Sequence, residues 1–517
     1  MYKKKVNICS CKASSNLFLL VLTIIGLLSA CKKEIEPVAP EPPVERNADQ
    51  KLLDDIYKYY KEQSYWTGNV QAADPISRFT DQHYQSSASL ITNANTILSA
   101  LKSQTPFHAA YNGPLDRFSF IAESSGSSTV SRADKEDGYG ITEAVVSIDN
   151  STTGYIYIAF VEGGSPAANA GLRRGDRIDA INGNRNLTIP LPSSGPISDQ
   201  PAAKLVSDAL ESNSFTIEVN REGTVIERSM QFANYEIDPL ILDTVYTIQG
   251  RRVGYFALSS FEQLRGNGGT LGSRLDAMFA RFALAQVQDV IVDFRYNVGG
   301  YVSSAEYLAN KLINGDGNGK LMYKSDTNPN LRQGRYTGEF DDVFYEKNSE
   351  INPEKIYFLI GRNTASASEL VISALMAHYN PNGNADANRR LHIIGNPSAV
   401  KNGTSTPSTY GKPMGFFPQD IGGKLELWAA SFKIVNARNY TDYWDGIPAT
   451  FTTPIQDNVL YNFGDTRESM IAAALRLNNT PANVSTQARA ARSSNNENIQ
   501  IIKDLNTRQP RELMKRK

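Results

Sequence analysis

The run Val290-Ile291-Val292-Asp293-Phe294-Arg295-Tyr296-Asn297-Val298-Gly299-Gly300 constrains the fold of this 517-residue chain more than any other stretch. Three apolar residues lead into a polar turn, two glycines follow, and a helical pattern begins near Ser303, so the segment reads as a buried strand feeding a helix. A strand pattern at Val253 to Leu258 and a helical stretch from Leu275 to Leu284 precede it. Ile356 to Ile360 then repeats the strand signal ahead of Leu370, Val371, Ala374 and Leu375, which share one helical face. Alternating strands and helices predict an α/β core. The glycine pair either serves a turn that needs positive φ or lets backbone approach a bound group closely.

The second strand-to-helix turn reads Asn363-Thr364-Ala365-Ser366-Ala367-Ser368-Glu369. Thr364, Ser366 and Ser368 can each cap the helix, and Glu369 adds a favourable charge at its start. The same geometry presents backbone N–H groups and the positive end of the helix dipole to an oxyanion formed beside a hydroxyl. A hydroxyl attacks a carbonyl only when a base removes its proton. The chain has four histidines, His83, His108, His378 and His392, none in a recognisable catalytic segment. His378 falls twelve residues after Ser366, about three turns along the same helix, and reads as structural. Lysine can serve instead when its pKa falls from about 10.4 by roughly three units, about 4 kcal/mol, which burial can supply. Lys401 lies in Gly395-Asn396-Pro397-Ser398-Ala399-Val400-Lys401, a weakly polar stretch compatible with that.

With 53 basic and 54 acidic residues the chain has no charge bias toward nucleic acid. Lys3, Lys4 and Lys5, an apolar stretch from Leu17 to Leu28, and Leu28-Ser29-Ala30-Cys31 have the layout of a bacterial secretory signal. The last four residues resemble a lipobox, which makes Cys31 the expected lipid anchor and residues 1–31 the signal with its lipidated cysteine. The other two cysteines, Cys9 and Cys11, lie in the removable part, so no disulfide framework or cysteine metal site is expected. Residues 32–46, rich in proline and glutamate, read as a tether. A helical N-terminal domain is expected over 47–125, with Leu52, Leu53, Ile56 and Tyr59 on one face. Residues 480–517 read as a polar C-terminal tail, disordered or loosely docked.

Between 138 and 233 the pattern changes to short β runs bounded by Gly, Asn and Ser. Within it, Ser165-Pro166-Ala167-Ala168-Asn169-Ala170-Gly171-Leu172-Arg173-Arg174-Gly175-Asp176-Arg177-Ile178 resembles the helix, turn and strand of PDZ domains from bacterial proteases. That resemblance places Tyr139-Gly140-Ile141-Thr142 at the carboxylate-binding loop, beside which a peptide C-terminus adds as a strand.

Taken in order, Asp-Phe-Arg-Tyr-Asn-Val-Gly-Gly, Thr-Ala-Ser-Ala-Ser-Glu and Gly-Asn-Pro-Ser-Ala-Val-Lys resemble the signature segments of the C-terminal processing peptidases, or tail-specific proteases. The likeness runs from Asp116-Arg117-Phe118-Ser119 to about Asn478. It implies a multi-domain α/β protein with a ClpP/crotonase-like catalytic core over 240–479. It also implies Ser366 as nucleophile, Lys401 as general base, and an oxyanion hole from the N–H groups of Ala367 and of Gly299 or Gly300. Two positions depart from the pattern: Val400 replaces a common glycine, and Ser405 stands where a glutamine orients the lysine, so either Ser405 takes that role or the activity is weak. Residues Asn380 to Arg390 form a polar insertion between nucleophile and base. The expected protein is a cell-envelope serine endopeptidase, an outer-membrane lipoprotein on the periplasmic or surface side. It would act on protein or peptide substrates without metal or other cofactor. A peptide-binding scaffold of the same fold is the alternative.

Overall fold

The computed structural model describes residues 46–124, 135–148, 151–264, 270–395, 406–451, 454–478 and 499–504. Two units divide the chain, Met1–Ala48 and Asp49–Lys517; the elements below belong to the second, apart from the first residue of α1. Cys31, Lys401 and Ser405 lie outside the described residues. Among the described residues no helix is long and apolar enough to cross a membrane, and no cluster of His, Cys, Asp or Glu could hold a metal ion.

Helices α1 (Ala48–Gln63) and α2 (Leu90–Lys102) and strand β1 (Phe120–Glu123) build the N-terminal region. Helix α1 buries Leu53, Ile56, Tyr57 and Tyr60; of the expected face Leu52, Leu53, Ile56 and Tyr59, Leu53 and Ile56 are buried while Leu52 and Tyr59 are half-buried, a rotation toward Tyr57 and Tyr60. Polar pairing accounts for the rotation: Tyr60 donates its hydroxyl to the buried carboxylate of Asp116, which also accepts from Ser119 Oγ at 2.7 Å. Each fully buried aliphatic side chain in such a face contributes roughly 1.5–3 kcal/mol. These helices share their core with Ile421, Leu425, Leu427 and Ala429, and so form a layer on the catalytic body.

The β-rich region is built on one large sheet, with the pair Lys135–Gly138 and Ala233–Glu236 beside it. Strands β2 (Ile141–Ile148), β3 (Thr153–Val161), β4 (Arg177–Ile181), β5 (Ser214–Arg221) and β6 (Thr224–Gln231) pair in the order β6-β5-β4-β3-β2, and helix α3 (Pro201–Glu211) packs on them. Pro166 opens the short helix Pro166–Asn169, which Ser165 caps, and Gly171 follows at φ 77°. A further strand on the free side of β2 comes from residues 499–504, inside the stretch expected to be a polar tail.

The core sheet starts with the hairpin β7 (Leu240–Ile248) and β8 (Arg251–Leu258). Helix α4 (Leu271–Leu284), strand β9 (Asp289–Asp293) and helix α5 (Val302–Leu312) follow. Strand β10 (Leu321–Thr327) leaves for a second sheet, and β11 (Lys355–Ile360), α6 (Ala367–Tyr379) and β12 (Leu391–Gly395) return to the first. The order is β7-β8-β9-β11-β12, parallel from β8 onward. Alternation along each strand fills two faces. Val290, Val292, Phe256, Ile356 and Phe358 pack under α4, α5 and α6, while Tyr255, Ile291, Tyr357 and Leu359 pack against α7 (Ser469–Asn478). Strands β13 (Met414–Ile421) and β14 (Leu425–Asn436) complete the second sheet with β10 and β1. The insertion after α6 is closed by Asn380, whose Oδ1 accepts from the N–H groups of Arg390 and Leu391 at 3.0 and 2.9 Å. It therefore sits at the far end of α6 from Ser366.

His392, on β12, stacks on Tyr357 with centroids 5.0 Å apart, and burial pushes its pKa down to about 3. Since the folded value lies below the unfolded one, this contribution is present above about pH 6.5 and is lost as pH falls toward 3. His392→Phe, which keeps the stack, should flatten the decline of unfolding free energy between pH 6.5 and 4, read by urea titration at each pH.

Candidate active site

The parallel strands β8, β9, β11 and β12 end on one edge, where open α/β sheets place their ligands. Ser366 lies there, one residue before α6, at φ 61° and ψ −113°, a conformation that favours glycine. It is 1% exposed, its N–H donates to Glu369 Oε2 at 2.8 Å, and its Oγ has no hydrogen-bond partner among the described residues. Ala367 opens the helix, so its N–H is among those that helix geometry leaves without an internal acceptor.

The turn is fastened to the loop after β9. Thr364 Oγ1 donates to Phe294 O at 2.7 Å, and Ala365 N–H donates to Asn297 O at 3.2 Å. Asn297 shapes that loop: its Nδ2 donates to Leu258 O and its Oδ1 accepts from Gly299 N–H, both at 3.0 Å. The bridge to Phe261 uses Gly299 O and Tyr301 N–H, so neither it nor Asn297 engages the N–H of Gly300. Of the two glycines expected to donate to an oxyanion, Gly299 is thus committed to Asn297, and Gly300 is the better placed. Gly300 has φ 140°, and a Cβ there would lie 2.2 Å from Phe261 O. Gly300→Ala should therefore displace this loop, read as a melting temperature below that of the wild type.

Glu369 is more than a helix-end charge. Its carboxylate, fully buried, accepts from Ser366 N–H, Thr409 Oγ1, Gly411 N–H at 2.7 Å and Lys412 N–H at 2.8 Å. Burial pushes its pKa up, and these four donors oppose the shift. Glu369 so ties the Ser366 turn to residues 409–412. The spacing Ser366-x-x-Glu369 is that of a capping box, the one local sign of this role. Arg117 reaches the same segment, donating to Gly411 O at 2.7 Å and Trp444 O at 3.0 Å.

Segment 396–405, which carries Lys401 and Ser405, is bounded by residues that meet beside this turn. Gly395 pairs with Ile360, and a Cβ on it would fall 2.3 Å from Pro407 Cβ. Tyr410 N–H donates to Thr364 O at 2.8 Å. His378 and His392 lie elsewhere: His378 Nε2 is 2.9 Å from Leu321 O, and His392 faces α7, on the other side of the sheet from α6.

In the β-rich region, Tyr139 is buried, donates to Ser212 O at 2.6 Å and meets Phe215 edge-on. Gly140 has φ 73° and no room for a side chain, because a Cβ would fall 2.2 Å from Ser165 Cβ. Ile141 and Thr142 begin β2, opposite Val161 and Phe160. Two bonds lead from this loop toward the glycine loop: Glu162 N–H donates to Gly140 O at 2.8 Å, and Ser259 Oγ donates to Glu162 Oε1 at 2.6 Å. A second, buried link was not foreseen. Arg174, in the turn before β4, pairs with Asp457, which also pairs with Arg295 at the end of β9 and accepts from Tyr296 OH at 2.9 Å.

Residues 252–416 match the family model described as peptidase family S41, and residues 157–190 match a PDZ domain. The chain is 26% identical over 221 residues to the carboxy-terminal processing protease CtpB of Bacillus subtilis (strain 168), covering 42% of this chain and 40% of that protein. It thus spans well under half the length of that curated relative. A crystal structure of a Bacteroides fragilis protein described as an S41 protease superposes with a TM-score of 0.58 at 18% identity, over 85% of this chain and 98% of the other. A photosystem II D1 C-terminal processing protease gives 0.45 at 16% identity, over 78% and 92%. With the glycine loop and the Ser366 turn side by side on one sheet edge and both domain models matched, the chain carries a region of the peptidase family S41 type behind a PDZ domain.

Proposed function

We propose that the protein is a serine endopeptidase of the cell envelope, with Ser366 as nucleophile and Lys401 as general base. The observation that carries this reading is the setting of Ser366: a buried hydroxyl with no partner among the described residues, on a glycine-like backbone, at the head of a buried helix and fastened to the Gly300 loop. Ser366 Oγ attacks the scissile carbonyl as neutral Lys401 takes its proton. The oxyanion rests on the N–H groups of Ala367 and Gly300. Lys401 returns the proton to the leaving amine, and water then hydrolyses the ester to free the serine. Ser405 orients the lysine.

Exposed C-termini are the proposed recognition element, with the loop Tyr139 to Thr142 holding the carboxylate by backbone N–H groups and the peptide adding along β2. Cys31 carries the lipid that keeps the enzyme at a membrane. Both fit the resemblance to the C-terminal processing peptidases.

Cleavage of a denatured protein by the wild type and by Lys401→Ala tests the dyad. A loss of at least about 10³-fold is expected, since general-base catalysis and the proton for the leaving group vanish together, with the wild-type rate climbing toward alkaline pH. Wild-type turnover by Lys401→Ala would refute the dyad. No turnover by the wild type on any denatured substrate would favour the non-catalytic scaffold.

A further inference from the structure

Strand β2 lies at the edge of the PDZ sheet, and an edge strand offers a row of free N–H and C=O groups to any extended segment. Here that edge is taken. Strand β15 (Ile499–Asp504) runs antiparallel along β2, with Ile499 opposite Ile148, Gln500 opposite Ser147, Ile501 opposite Val146, and Asp504 opposite Ala144. The direction matters as much as the position. A peptide whose terminal carboxylate sits in the loop Tyr139 to Thr142 must end beside the start of β2, and so must run antiparallel to it. Strand β15 runs that way: its C-terminal end, Asp504, is the one nearer the loop.

The geometry points to Ile499–Asp504 as a resident pseudo-ligand, a segment of the chain's own C-terminus that fills the strand-addition edge and must leave before a substrate peptide can add there. This rests on the peptide-recognition reading of the PDZ domain. The competition is set by mass action. The strand belongs to the same chain as β2, so its docking is intramolecular, and segments linked in this way reach effective concentrations of about the millimolar range. If the strand is docked nine-tenths of the time, the apparent affinity for an incoming peptide falls about tenfold. Weak or dilute C-termini are then ignored, and only abundant or tightly bound ones gain the edge.

The test uses the full chain with Gln500→Pro and Ile501→Pro together. Successive residues in a strand point their N–H groups to opposite sides, so one of the two prolines removes a bond to β2. The probe is a fluorescein-labelled peptide Ile-Gln-Ile-Ile-Lys-Asp with a free C-terminus, followed by anisotropy, alongside amide hydrogen exchange over Ile141–Ile148. The expected result is faster exchange in β2, unchanged exchange in β9, about tenfold tighter probe binding than the wild type, and renewed protection of β2 on adding the peptide. A second variant ending at Asn478 should behave the same way. Unchanged exchange in β2 for both variants overturns the resident strand. Faster exchange with no probe binding overturns the peptide-recognition reading and the competition with it.

Discussion

Ser366→Ala is expected to lower peptide-bond cleavage by roughly 10⁴–10⁶-fold, since no other described hydroxyl stands on the turn with a comparable backbone and no partner. Stability should not fall with it. The residue occupies φ 61°, ψ −113°, where a side chain costs on the order of 1–3 kcal/mol, and its buried hydroxyl has no partner among the described residues. Alanine removes the second of these costs, and Ser366→Gly removes both. Thermal unfolding should therefore give a melting temperature at or above the wild type for Ser366→Ala and higher still for Ser366→Gly, while both are inactive on a denatured substrate. A large drop in melting temperature for Ser366→Ala would make the serine a structural cap.

Asp457→Ala should destabilise the fold by about 3–5 kcal/mol, the usual cost of leaving a buried charge uncompensated. Asp457 is 2% exposed and shared by two buried guanidiniums, Arg174 from the PDZ turn and Arg295 from the end of β9. Glu468, 3.1 Å from Arg295, and Asp293 complete the cluster but do not touch Arg174. Burial alone would push the Asp457 carboxyl up; the two arginines more than reverse this and hold it below its ordinary value. Its folded pKa being depressed, its contribution is present above the unfolded value of about 3.9 and is lost as pH falls through that region. Urea unfolding at pH 7 and pH 3 should show a large gap between wild type and Asp457→Ala at neutral pH and a smaller one in acid.

The α/β core was legible because β8, β9 and β11 are buried on both faces and read as short apolar runs ahead of helical patterns. The second sheet was not. Pro418 interrupts the strand signal of β13, and the structure tolerates it because β13 is an edge strand. In the site, Ser366 could be picked out by its place at a helix start, but the choice of Gly300 over Gly299 depends on where the side chain of Asn297 points, which no spacing reveals. The partners of Glu369 lie some forty residues further on, so its clamp became visible only in three dimensions. The role of Arg174 has no local sign, because its partner is Asp457, far along the chain. The six residues of β15 were submerged in a polar stretch where composition outweighed one short apolar run.

The pairing of β1 with β14, Glu123 opposite Leu425, fixes an order of events for a chain that emerges N-terminus first. Helices α1 and α2 find their apolar cover only when Leu425 and Leu427 arrive, and the Ser366 turn waits for Thr409 and Gly411 to satisfy Glu369. Contacts at such separation form slowly, because loop closure must precede their gain. The Ser366 turn of the nascent polypeptide thus stays without its clamp until residues 409–411, about four-fifths of the way along the 517 residues, have been made.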